Sequence, residues 1–390
     1  MFDPTNRFWF LASETHSFQA FGPRIAVLWR MLTGWAREST GPTMTLPTTT
    51  SSASPLDLVE PEPKVARSIT SGGLTGVAAV PKTKGSVELA FRTNRGSSFQ
   101  GLAEEALASK QLAWWRGKVD LILTSPPFPL NRKKRYGNLQ GEAYAAWLSE
   151  FAPLFKRFLK PTGSIVMEMG NAWEAGLPVM STLSLRSLLR FLDAGSLHLC
   201  QEFIVHNPAR LPGPVQWVNV ERIRVKDSFT HVWWMSPTAR PKADNRQIQK
   251  PYSASMIKLL KRRTYNSGAR PSDHSIGATS FLRDNGGAIP SNVLEFSNTL
   301  SSEPYLDYCR QYGYKPHPAR MQSELASFFI RFLTDPDGVV LDPFAGSNTT
   351  GAVAERLGRR WVSIEPKDEY VNSSWGRFLS EDQDQFSFAR

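Results

Sequence analysis

Two short runs carry the residues best suited to chemistry. Ser125-Pro126-Pro127-Phe128 follows the apolar run Val119–Leu123. A short apolar run of this kind reads as a buried parallel strand, and the loop behind it stands at the carboxyl end of the sheet, where open α/β sheets bind ligands. Two prolines stiffen that loop and remove two N–H donors. Two acceptors remain, the Ser125 hydroxyl and the Pro126 carbonyl, beside the flat apolar ring of Phe128. The combination suits an aromatic amine. The lone pair of such an amine is delocalised into its ring, so it is a poor nucleophile. Two acceptors pulling on its hydrogens bend the nitrogen toward a tetrahedral shape and free the lone pair, with no covalent enzyme intermediate. A base in a duplex must leave the stack to reach such a pocket. Taken alone, Ser-Pro-Pro also reads as nothing more than a rigid turn.

The second run is Asp342-Pro343-Phe344-Ala345-Gly346-Ser347-Asn348-Thr349-Thr350-Gly351. Gly338–Asp342 predicts a strand ending in an acid. Pro343–Gly346 makes a tight turn, Asn348 can cap the helix Thr349–Leu357, and Gly358 ends it. A strand over Trp361–Ile364 then ends in Glu365. A carboxylate about 20 residues beyond such a turn suits a ribose diol, because it accepts both hydroxyl hydrogens; here Glu365 lies 23 positions after Asp342. The loop lacks the Lys-Ser/Thr pair of a phosphate loop and the spaced glycines of a dinucleotide fingerprint. A nucleoside cofactor without a pyrophosphate fits, namely S-adenosylmethionine.

The elements that must position these runs form an α/β alternation. Strands are expected over Val87–Phe91, Val119–Leu123, Ser164–Met169, Leu197–Val205, Thr230–Met235, Val339–Leu341 and Trp361–Ile364. Helices are expected over Leu102–Leu112, Tyr144–Leu159, Leu183–Leu192, Ser323–Leu333 and Thr349–Leu357. The pattern predicts a largely parallel sheet. Residues 237–300 lose the rhythm and read as a loop-rich insertion with five prolines. Ser39–Pro63 is rich in Thr, Ser and Pro, so residues 1–65 read as an appendage with a disordered linker. Its first forty residues show no secretory cleavage pattern.

The formal net charge is +11, and the stretch from Phe203 to Asp284 holds 14 Lys and Arg against 5 Asp and Glu. A basic stretch that also carries Trp217, Trp233, Trp234, Tyr252 and Tyr265 favours nucleic acid over a merely solvated face. Its densest cluster, Lys261-Arg262-Arg263, and the run Arg132-Lys133-Lys134-Arg135 beside the Ser-Pro-Pro loop are the expected phosphate contacts. No apolar run is long enough to span a membrane. Two cysteines, Cys200 and Cys309, exclude a disulfide framework and a multi-cysteine zinc site. No metal and no membrane partner are expected.

With both runs in hand, the sequence from about 87 to 372 resembles the β group of amino-methylating DNA methyltransferases. In that group the catalytic motif precedes the target-recognition region, which precedes the cofactor motif. The resemblance implies a Rossmann-like S-adenosylmethionine-dependent fold with circularly permuted motifs. It implies a catalytic half over 85–236, a target-recognition region over 237–300 and a cofactor half over 310–375. Ser-Pro-Pro-Phe has the form typical of cytosine-N4 enzymes, whereas N6-adenine enzymes usually carry an acid first. Carried across, Ser125 and Pro126 bind the cytosine amino group, Pro127 completes the motif and Phe128 stacks on the ring. His317-Pro318-Ala319-Arg320 and the following helix match the element beside the methionine moiety. Asp342, Phe344, Gly346, Ser347, Asn348 and Thr349 match the cofactor motif, and Glu365 the ribose-binding acid. Where the family often has Gly-Asp before the catalytic strand, this sequence has Gly101-Leu102, with Glu104 two residues on. The implied activity is site-specific methylation of cytosine N4 in duplex DNA, alongside a cognate restriction endonuclease, in the bacterial cytoplasm at the nucleoid. Two alternatives stay open: an adenine-N6 enzyme and a DNA-binding relative without catalysis.

Overall fold

A computed structural model describes residues 87–128, 141–296 and 303–379. The strands are Glu88–Arg92 (β1), Gly96–Gln100 (β2), Val119–Thr124 (β3), Leu159–Gly170 (β4), His198–His206 (β5), Phe229–Ser236 (β6), Gly268–Ala269 (β7), Ser275–Ile276 (β8), Val293–Glu295 (β9), Val339–Asp342 (β10) and Arg360–Glu365 (β11). The helices are Ala103–Ala108 (α1), Gly141–Phe158 (α2), Leu183–Gly195 (α3), Ala254–Arg262 (α4), Pro304–Tyr312 (α5), Ser323–Leu333 (α6), Thr349–Arg356 (α7) and Asp368–Ser374 (α8).

One nine-stranded sheet runs β1-β2-β11-β10-β3-β4-β6-β5-β9. The central strands β2, β11, β10, β3 and β4 are parallel, and β6 is antiparallel to both of its neighbours. The order places β3 against β10, so the ends of the two motif-bearing strands lie side by side although they are far apart in sequence. Both faces are covered. Tyr144, Leu148, Phe151 and Phe155 of α2 and Phe191 of α3 pack on one face with Ile122, Ile165 and Met167. Leu325, Phe328, Phe329 and Ile330 of α6 pack on the other with Leu121, Leu123, Val166 and Val340. Two-sided burial is why β3 and β10 read as unbroken apolar runs and not as alternating ones.

The structure departs from the sequence expectations at several points. The strand expected at Val87–Phe91 is half of a hairpin, and its partner β2 is the strand that joins β11. The helix expected over Leu102–Leu112 stops at Ala108, and a 3₁₀ turn follows at Ala113–Trp115. Helices α5 and α8 were not foreseen. The insertion contains helix α4, capped by the Ser253 hydroxyl accepting from Met256 N at 3.2 Å, and it is pinched at its base by reciprocal Lys250–Ala288 backbone hydrogen bonds of 2.9 and 2.8 Å. Residues 1–65 and Arg132, Lys133, Lys134 and Arg135 lie outside the described residues.

Candidate active site

The first motif leaves β3 directly. Thr124, the last residue of that strand, donates from Oγ1 to Asp342 Oδ1 at 2.7 Å, and Phe344 N donates to the same oxygen at 3.1 Å. One buried carboxylate therefore fixes both motif loops. Burial pushes the Asp342 carboxyl up to about 6, against the lowering effect of its hydroxyl and amide donors. Beyond Thr124, Ser125 is half-buried, Pro126 buried and Phe128 half-buried. Gly170, at the end of β4, makes room for the Phe128 ring: a Cβ there would fall 2.7 Å from Phe128 Cδ2.

The second loop turns back at Gly346, whose φ is +52° and where a Cβ would sit 3.0 Å from the His317 ring. A side chain at this position would meet both backbone strain and a clash. Gly346 N donates to Glu365 Oε2 at 3.0 Å, and Lys367 N donates to Glu365 Oε1 at 3.0 Å. Burial raises the Glu365 carboxyl to about 7. Asn348 accepts from Gly351 N at 3.2 Å and so caps α7. Phe344 lies across the rings of Trp147 and Phe151, and Trp147 Nε1 donates to Glu104 Oε1 at 2.7 Å.

Between the loops lies a cleft of about 370 Å³, within the usual range for a small-molecule site. Of the residues singled out in the sequence, Ser125, Pro126, Pro127, Phe128, His317, Asp342, Phe344, Gly346, Ser347, Thr349 and Glu365 all line it. Three others are not among its lining residues. Asn348 is the helix cap, Pro318 is exposed, and Arg320 reaches back to Glu303 at 3.4 Å and to the His317 carbonyl at 3.3 Å. Lys261, Arg262 and Arg263 are exposed at the end of α4, away from the cleft lining. The structure adds Leu102, Glu104, Tyr144, Trp147, Met321 and Tyr370 to the walls. Of these, Leu102 and Glu104 had drawn notice in the sequence.

Sequence reasoning also passed over Glu168. Thr124 pairs with Met167 in the β3–β4 register, and Glu168 is the next residue of β4, outside the cleft lining. Burial raises the Glu168 carboxyl above its ordinary range, with the Thr230 hydroxyl 3.1 Å from Oε1 and Arg210 as the nearby cation acting against that rise. An acid inside an otherwise apolar strand, Ser164–Met169, was the available signal.

The donors fit a nucleoside cofactor bearing a diol. Glu365 presents a buried carboxylate at the tip of β11, Phe344 a flat apolar surface, and Gly346 a stretch of backbone that a ligand can approach closely. A family model described as DNA methylase matches residues 119–375. The type II methyltransferase M.PvuII of Proteus hauseri is 46% identical over 292 residues, 74% of this chain and 85% of its own length. M.BglII of Bacillus subtilis is 25% identical over 274 residues, covering 68% of this chain and 65% of its own. A solved PvuII DNA methyltransferase, described as cytosine-N4-specific, superposes with a TM-score of 0.59 at 40% identity, covering 74% of this chain and 88% of that one. Motif order, sheet, cleft and relatives agree: this chain belongs to the N6/N4 family of DNA methylases.

Proposed function

We propose that this protein transfers a methyl group from S-adenosylmethionine to the N4 amino group of a cytosine extruded from duplex DNA. One observation carries the reading: Ser125-Pro126-Pro127-Phe128 and the Asp342–Glu365 unit line a single cleft. The 46% identity to M.PvuII and the cytosine-N4 specificity given for the matching structure support the choice of base.

When bound, the cofactor supplies an electrophilic methyl group. Glu365 would hold its ribose hydroxyls, Phe344 and Leu102 its ring, and the His317 turn its methionine end. The Ser125 hydroxyl and the Pro126 carbonyl accept from the two hydrogens of the cytosine amine, and Phe128 stacks on the base. Both acceptors pull electron density toward the nitrogen as it attacks, so their hydrogen bonds are strongest in the transition state. The amine gives up one proton on methylation. We assign that proton to Glu168, the residue of β4 after the Met167 that pairs with Thr124, whose carboxyl burial raises above its ordinary range.

The exposed cluster Lys261-Arg262-Arg263 and the basic run 132–135 would hold DNA phosphates, and residues 237–300 would read the target sequence. Pairing with a cognate endonuclease, and a site of action in the cytoplasm at the nucleoid, belong to the same proposal. Among the described residues no helix is long and apolar enough to cross a membrane.

The test is nucleoside analysis of plasmid DNA after incubation with protein and S-adenosylmethionine, with modified-base sequencing to map the site. N4-methylcytosine is expected. N6-methyladenine without N4-methylcytosine overturns the assignment of the base.

A further inference from the structure

The connection from β5 to β6, residues 207–228, belongs neither to the cleft nor to the insertion at 237–300. It starts where β5 ends and returns where the antiparallel β6 begins, so it stands at the carboxyl edge of the sheet, the same edge that carries Ser125, Asp342 and Glu365. The loop is braced throughout. Asn207 N donates to Ser228 O at 2.8 Å, Asp227 N to Gly213 O at 2.9 Å, and Ile223 N to Trp217 O at 2.9 Å. Lys226 Nζ crosses to the opposite limb at Pro208 O, 3.0 Å away.

This braced loop holds aliphatic side chains out in water. Leu211 is 84% exposed and Val225 86%, and Val215, Val220 and Ile223 are exposed as well. Lys226, next to Val225, reaches Pro208 O and Arg210 O on the limb that carries Leu211. Single exposed aliphatics are ordinary, but several on one ordered element mark a contact surface. The crest is flanked by Arg222, Arg224 and Lys226, against Glu221 and Asp227. The charge balance favours a polyanion over an apolar protein face.

The loop is also joined to the catalytic motif. Asn171 Nδ2 donates to Asp227 Oδ1 at 2.9 Å, and Asn171 directly follows Gly170, the residue against the Phe128 ring. Arg224 Nε docks on Pro178 O at 3.0 Å in the connection after β4, where Leu177, Val179 and Met180 are exposed too.

We propose that the β5–β6 loop is a DNA-contacting element in its own right. Its crest, led by Leu211 and Val225, packs against the bases left unstacked by extrusion of the target, and Arg222 meets the flanking phosphates. Apolar side chains inserted at base steps are a general means of stabilising opened duplexes. The proposal rests on cytosine extruded from duplex DNA as the substrate.

The test uses the full chain and two synthetic duplexes carrying the mapped target site, one intact and one with an abasic position opposite the target cytosine. The double variant Leu211→Ser/Val225→Ser should methylate the intact duplex at least about tenfold more slowly than wild type, because opening then lacks its filler. On the abasic duplex, where the target is already unpaired, it should approach the wild-type rate. The KM for S-adenosylmethionine should stay unchanged on both. Arg222→Ala should lower the salt dependence of duplex affinity by about one counterion. Equal loss on both duplexes, or no loss on either, overturns the proposal. So does a crest that proves to be a contact between two copies, seen as a dimer by light scattering that the double variant dissolves without change in DNA kinetics. The wild-type rate on the intact duplex is the reference, so failure of the proposal leaves the methyltransferase reading standing.

Discussion

At the scale of residues, the proposed chemistry divides between acceptors for the amine and a carboxylate for its proton. Ser125→Ala removes one of two acceptors that bind most strongly in the transition state, and should lower kcat by roughly 10²–10³, by analogy with the loss of one oxyanion donor. S-adenosylmethionine affinity, measured by calorimetry, should stay near that of wild type, because the proposed reaction uses Ser125 for the base and Glu365 for the cofactor. An unchanged kcat removes Ser125 from the mechanism. Glu168→Gln keeps the shape and the contact with Thr230 but cannot take a proton. Its kcat should fall and lose its dependence on pH, whereas binding of cofactor and DNA should persist. A pH–rate profile parallel to wild type would assign the proton to solvent.

At the scale of elements, the cofactor loop depends on pieces that never touch the cleft. Arg377, buried in the turn after α8, donates from Nε to Ser347 O at 2.7 Å and from Nη2 to Ser347 Oγ at 3.1 Å, pairs with Glu303 and lies over the Tyr305 ring. The Tyr305 hydroxyl in turn accepts from His317 N at 2.9 Å. Helix α5 and the end of α8 thus brace both Ser347 and His317 from behind. Arg377→Met should lower thermal stability and raise the KM for S-adenosylmethionine by roughly ten- to a hundredfold, the range for lost hydrogen bonds to a charged group. Adding Glu303→Gln removes a carboxylate then left with Arg320 alone, and should recover part of the stability without recovering the KM. Recovery of both would make the pair purely structural. This truss was not legible in the sequence, since nothing near Arg377 announces a partner at Ser347. Strands β3, β10 and β11 were legible, because burial on both faces leaves a short apolar run as its trace. Strand β2 was not: Gly96-Ser97-Ser98-Phe99-Gln100 has no apolar pattern, and it is a strand because β11 pairs with it. Ser125, Asp342 and Glu365 were legible because they end strands in motifs with a chemical logic. Trp147, Met321 and Tyr370 reach the cleft only through packing between elements.

At the scale of the whole molecule, the sheet joins two distant stretches of chain and places two buried acids at the join. Asp342 titrates near 6 and Glu365 near 7 in the folded protein, because burial disfavours their charged forms. Below about pH 3 both carboxyls are protonated in the folded and unfolded states and contribute no pH dependence. Between about 4 and 7 the unfolded chain releases these protons while the folded one retains them. The folded state then binds more protons, and stability falls as pH rises through that window. The cofactor reverses the preference at Glu365, because an ionised carboxylate is the form that accepts both ribose hydroxyls. Its affinity should therefore rise with pH through about 7. The Tm increase that S-adenosylmethionine produces at a fixed concentration should be larger at pH 8 than at pH 5.5, since a ligand stabilises the fold in proportion to the logarithm of its saturation ratio. Glu365→Gln should weaken cofactor binding and make the remaining Tm increase nearly independent of pH, and the difference between variant and wild type isolates this carboxyl from every other titrating group. A wild-type increase that is the same at both pH values would mean that Glu365 holds its two backbone amides throughout and that the ribose is bound elsewhere in the cleft.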